Sequence, residues 1–118
     1  MLRNELWFSY AGGVLASACA DQVTYHEERL EFWEAEQGQA EARLRESGVE
    51  FRVRPVTGGE RLDAVVDPQR QARLNECYAK VEQHRRQVED FQRWQRSFET
   101  NSEAAFELDA EDVAYFGL

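Results

Sequence analysis

Two histidines and two cysteines are the residues of this chain with the most chemistry to offer. His26 and His84 could ligate a metal or move a proton near neutral pH, and Cys19 and Cys77 could act as nucleophiles or soft ligands. Their spacing supports neither use. The cysteines lie far apart with no CxxC, so they form no zinc framework. Cys77 and His84 stand on what reads as one helix, separated by about 10.5 Å of rise, too far to share an ion. Helical di-metal sites use Glu-x-x-His on facing helices, and the residues three before His26 and His84 are Val23 and Val81. Both histidines read as core residues and both cysteines as small apolar ones.

Other catalytic arrangements are equally thin. Paired carboxylates for acid–base work need a sheltered pocket, whereas the acids here fall mostly on solvent faces of helices. The Thr57-Gly58-Gly59-Glu60 loop is too short for a phosphate cradle and lacks its Lys. No GxSxG or HExxH is present. No enzyme activity, metal or cofactor is therefore expected.

The 118 residues carry a net charge of −9, which argues against general affinity for nucleic acid. The excess is uneven. Residues 1–50 hold 10 acids against 4 bases, residues 51–100 hold 8 against 10, and residues 101–118 hold 5 against none. Arg70, Arg73, Arg85, Arg86, Arg93 and Arg96 crowd one helix with Trp94 among them, but Glu76, Glu82, Glu89 and Asp90 intervene. That pattern reads as a solvated face beside an acidic neighbour, not as a nucleic-acid surface.

The elements that position these residues centre on Val49–Asp67. Gly58-Gly59 suits a two-residue type I′ turn, where both central residues need positive φ. Folding there sets Val56 opposite Arg61, Val53 opposite Ala64 and Phe51 opposite Val66. Phe51, Val53, Pro55, Leu62, Ala64 and Val66 then share one apolar face, and Arg54 meets Asp63 on the other.

Helical heptads flank the hairpin. From Asp21 to Ser47 the core sites are Val23, His26, Leu30, Trp33, Gln37, Ala40, Leu44 and Ser47, and Gly48 ends the helix. The second helix runs from about Pro68 to Glu99, with Asp67 as N-cap. Its core sites are Leu74, Cys77, Val81, His84, Val88, Phe91, Gln95 and Phe98. An antiparallel return sets Leu44 on Cys77, Gln37 on His84, Leu30 on Phe91, His26 on Gln95 and Val23 on Phe98, pairing polar with polar. Glu27, Glu34 and Glu41 form a row along the seam, with Arg85 near the level of Glu34.

The ends brace this hairpin. Leu6, Trp7, Phe8 and Tyr10 are expected to pack on the core, as strand or helix, followed by a small-residue helix over Ala11–Ala20. Ala16-Ser17-Ala18 before Cys19 resembles a signal-peptidase or lipoprotein site, but Glu5 beside Arg3 and the Gly12-Gly13 pair spoil a leader. Two cysteines without a framework suit a reducing compartment, so the expected location is cytoplasmic, with export as the alternative if residues 1–18 act as a signal. No uninterrupted apolar span predicts a membrane helix. In the tail, Asp109 caps a short helix from Ala110 to Phe116 with Val113 and Phe116 on one side. The tail is either an acidic-aromatic docking peptide for a partner groove or folds back over the wide apolar face that Tyr25, Phe32, Tyr78 and Trp94 add beside the seam. The second is the expectation.

The expected architecture is a single α+β chain, mainly helical. It is a long, coiled-coil-like antiparallel helical hairpin with a β-hairpin between the helices and short terminal segments packed on it. The expected role is a non-enzymatic, self-associating protein–protein interaction module, with no direct nucleic-acid or membrane partner. Candidate contact residues are Phe51, Val53, Leu62 and Val66, then Phe106, Tyr115 and Phe116, and the acids Glu27, Glu34 and Glu41. The alternative is an acidic inhibitor, antitoxin or DNA mimic seated on a basic site of an enzyme or nucleic-acid machine.

Overall fold

The computed structural model describes residues 6–118. The elements in order are β1 (Phe8–Ala11), α1 (Gly12–Glu46), β2 (Phe51–Val56), β3 (Gly59–Ala64), α2 (Pro68–Thr100), β4 (Ala105–Leu108) and α3 (Ala110–Tyr115). Helices α1 and α2 pack antiparallel with a two-stranded β-hairpin between them, an α+β arrangement. The chain divides into two compact units, one made of residues up to Glu27 with Arg86–Leu118, the other of Glu28–Arg85. Among the described residues no helix is long and apolar enough to cross a membrane. Arg3 and Glu5 lie outside the described residues.

In the unit that holds the termini, β1 pairs antiparallel with β4, Phe8 opposite Leu108 and Tyr10 opposite Phe106. The helix expected over Ala11–Ala20 and the one expected from Asp21 are a single helix, α1, beginning at Gly12. Its first N–H groups, which have no partner within a helix, donate to the loop after α2. Gly12 donates to the Ala104 carbonyl at 2.9 Å and Gly13 to Ser102 at 2.8 Å. A Cβ on Gly12 would clash with the backbone oxygens of Asn101 and Phe98, so the missing side chain at Gly12 lets the helix start against that loop, the close approach expected of the small-residue helix. The heptad simply continues backward through Ala16, Cys19 and Gly12, all buried. The unit's core is Leu15, Ala16, Cys19, Val23, Phe91, Phe98, Leu108 and Phe116. Tyr10 packs against it, while Leu6, Trp7 and Phe8, expected in the core, are exposed.

The tail folds back as expected. Asp109 caps α3 by accepting the Asp112 N–H at 2.8 Å. Phe116 then enters an aromatic slot of α2, with ring centroids 6.3, 5.8 and 5.5 Å from Phe91, Trp94 and Phe98. The spacing of those three positions places them on one helix face.

In the hairpin unit, α1 ends with Ser47 donating its hydroxyl to the Leu44 carbonyl at 2.7 Å, followed by Gly48 at φ +74°. Helix α2 starts at Pro68 with Asp67 accepting the Arg70 N–H at 3.1 Å. The core here is Leu44, Leu62, Ala64, Leu74 and Tyr78.

The hairpin register differs from the expected one. In the hairpin, Val53 faces Leu62 and Phe51 faces Ala64, a slip of two positions, and the turn is Thr57-Gly58. Only Gly58 of that pair has positive φ, +86°, which excludes type I′ and matches the second central position of type II. A slip of two keeps every side chain on its face, so the apolar sorting survives except for Val66, which lies beyond β3 and is 75% exposed. Arg54 still reaches Asp63 at 3.1 Å, now diagonally. Between the helices, His26 stacks on Phe91 at 5.7 Å, and Gln95 donates its amide to Glu99 on its own helix. Stacking an imidazole on a core phenyl ring removes apolar surface from water.

Candidate functional site

The candidate contact residues separate into those committed to the chain's own core and those left on its surface. Leu62 and Phe116 belong to the core, as does most of Phe51, so the sequence-level assignment of the whole hairpin face to a partner is corrected. Strand β3 is the inner strand. Its Leu62 and Ala64 pack on Leu44, Leu74 and Tyr78 of the two helices. Its outward N–H groups are also taken, Leu62 by the Tyr78 hydroxyl at 2.8 Å and Ala64 by Gln71 Oε1 at 2.5 Å. Strand β2 is the outer strand, with Val53 47% exposed. The segment Trp7–Tyr10 belongs to the unit of the termini, where β1 pairs with β4.

The glutamate row is broken by internal use. Glu41 accepts a hydrogen bond from Tyr78 at 2.8 Å and is half-buried. Glu36 of α1 also pairs with α2, bonded to Arg73 at 2.5 Å, and among the described residues no ion pair joins Glu34 to Arg85. Arg73 also lies over the Trp33 ring, 5.5 Å from its centroid. Glu27 and Glu34 stay exposed.

In the terminal unit the apolar surface is aromatic. Phe106 is half-buried, its ring 5.1 Å from Phe98. Above the buried Phe91, Phe98 and Phe116 lie two exposed rings. Trp94 stacks on Phe98 at 5.6 Å and is 45% exposed; Tyr115 stacks on Phe91 at 4.9 Å and is 41% exposed. Burial pushes the Tyr115 phenol up, the Asp90 carboxylate adds to that, and a hydrogen bond from Trp94 opposes it. The sequence carried a signal for this surface, since Trp94 follows Phe91 and precedes Phe98 at helical spacing.

The reactive side chains are placed for packing. Cys19 is fully buried, and burial lifts its thiol to about 11; burial likewise raises Cys77. A thiol so raised is a poor nucleophile. Desolvation lowers His26, and His84 is buried on the core face of α2. Among the described residues no three His, Cys, Asp or Glu side chains converge as a metal-holding group. An open cleft of about 590 Å³ beside the hairpin turn is lined by Gln37, Val56, Arg61, Tyr78 and Arg85. Its Arg61 is engaged by Glu82 at 3.4 Å and by the Tyr78 ring. No known family model, curated protein or solved structure matches this chain.

Proposed function

We propose that the protein is a non-enzymatic interaction module that self-associates through the aromatic surface of its terminal unit. The observation that carries this reading is the Trp94–Tyr115 pair, two half-exposed rings held rigidly on a buried aromatic bed. Trp and Tyr dominate the energetics of protein interfaces, because they supply large contact area at small cost in side-chain entropy. A rigid bed lowers that cost further. A cytoplasmic setting fits the same reading. Signal cleavage before Cys19 would remove Leu15 and Ala16, both part of the core.

Sedimentation velocity across a range of concentrations tests the proposal. Trp94→Ala or Tyr115→Ala should weaken self-association by about thirtyfold, the effect of losing an interface anchor of about 2 kcal/mol. Unchanged association in both folded variants would reject this surface.

The acidic-inhibitor reading keeps one specific support. Glu103, Glu107, Glu111 and Asp112 are all exposed, and residues 101–118 contain no base to neutralise them. That reading requires a basic partner whose binding falls steeply with salt, whereas the aromatic surface requires little salt dependence.

A further inference from the structure

The two edges of the β2–β3 hairpin are treated differently. Leu62 and Ala64 send their N–H groups away from β2, to Tyr78 and Gln71. In an antiparallel ladder the direction alternates, so Arg52–Asp63 and Arg54–Arg61 are the hydrogen-bonded pairs. By the same alternation Phe51 and Val53 send both N–H and C=O outward from β2. Among the described residues no strand pairs with that edge. Pro55, next in the outward set, has no N–H to leave unpaired, as suits an edge strand. On the solvent face stand Arg52 and Arg54. Arg54 is held by Asp63, and no ion pair reaches Arg52 from the described residues. Arg45 adds a third positive charge at the same end, over the Phe51 ring at 5.3 Å.

We propose that β2 accepts an extended acidic segment of another protein as an antiparallel third strand. Charge decides the occupant. A second copy pairing about Val53 would set Arg52 opposite Arg54, and like charges directly opposite are destabilising. An acidic strand instead places its carboxylates opposite Arg52 and Arg54. Those are the non-hydrogen-bonded pairs on this edge, where side chains approach most closely. Its alternate residues fall on the inner face beside Val53, which is 47% exposed and gains an apolar neighbour. Main-chain bonds to Phe51 and Val53 supply affinity and the arginines supply selectivity. The recognised chemistry is therefore acid–apolar–acid in extended form. This edge belongs to the hairpin unit, so the inference stands or falls separately from self-association through Trp94 and Tyr115.

The test is fluorescence anisotropy with a short labelled peptide of alternating Glu and Val, a Lys/Val peptide as control, and amide hydrogen exchange on the complex. The Glu/Val peptide should bind, slow exchange at Phe51 and Val53, and weaken as salt rises. Arg52→Glu should weaken it about tenfold and favour the Lys/Val peptide. Val53→Pro removes an outward donor while leaving the hairpin ladder intact, and should abolish binding with the circular dichroism unchanged. No binding of the Glu/Val peptide, or equal binding by Arg52→Glu, overturns the proposal. So does retained binding by a folded Val53→Pro protein. Should Val53→Pro unfold, the Arg52→Glu comparison and the exchange pattern decide alone.

Discussion

The hydroxyl of Tyr78 stands 2.8 Å from the backbone nitrogen of Leu62 and accepts its proton, while its own proton goes to Glu41 at 2.8 Å. One buried side chain thus ties α2 to the inner strand of the hairpin and to α1. Tyr78→Phe keeps the ring but leaves the Leu62 N–H buried and unpaired. The expected loss is about 1–3 kcal/mol of stability, read from urea unfolding. Glu41→Gln, which keeps an acceptor, should cost much less.

Gly12 and Gly13 should respond differently to alanine. A methyl at Gly12 meets the carbonyl oxygens of Asn101 and Phe98, with the latter at 2.9 Å, both rigid backbone atoms. Gly12→Ala should destabilise by about 1–3 kcal/mol. At Gly13 the nearest atom is Ser102 O at 3.5 Å, an ordinary contact. Gly13→Ala should therefore be neutral or stabilise by up to about 1 kcal/mol through helix propensity. Thermal unfolding of the two variants side by side checks the assignment of the α1 start.

These glycines also explain where sequence reasoning stopped. The strongly periodic parts of the fold were legible: the two helices, the Asp67 and Asp109 caps, and the burial of Leu74, Cys77, Val81, His84, Phe91 and Phe98. The small-residue helix over Ala11–Ala20 was legible too; that it runs without a break into the next helix was not, and the passing carbonyls of Phe98 and Asn101 that require Gly12 leave no local trace. The hairpin register was ambiguous for a different reason. Alternation has a period of two, so pairing Val53 with Ala64 or with Leu62 sorts the faces equally well. What distinguishes them is the capture of the β3 edge by Tyr78 and Gln71, a tertiary contact with no local trace. At the candidate surface, Phe106, Tyr115 and Phe116 were grouped as contact residues, and the structure divides them: Phe116 turns into the core beside Val113, the side of the short helix they were expected to share, while Tyr115 stays exposed.

Stability should decline in alkali for two identifiable groups. Burial raises Cys19 from its ordinary 9.0 to about 11, and Tyr78 from 10.0 to about 12. Each keeps its proton longer in the folded state than in the unfolded one. Their contribution is thus complete below about pH 9 and is lost as pH rises through 11 and then 12. Cys19→Ala should remove the earlier part of the decline and Tyr78→Phe the later part, as followed by unfolding curves from pH 8 to pH 12.

Salt separates the two functional readings. Association through Trp94 and Tyr115 buries apolar rings, so raising ionic strength should leave it unchanged or slightly stronger. Glu27→Gln with Glu34→Gln should leave it unaffected as well. A basic partner of the acidic tail would instead be released by salt, which a pull-down at two ionic strengths distinguishes.

Light scattering at micromolar concentration tests the central claim most directly. The account predicts a mass near twice the 13.7 kDa of one chain or above, falling to a single chain in Trp94→Ala. A mass of one chain for the unaltered protein would contradict it.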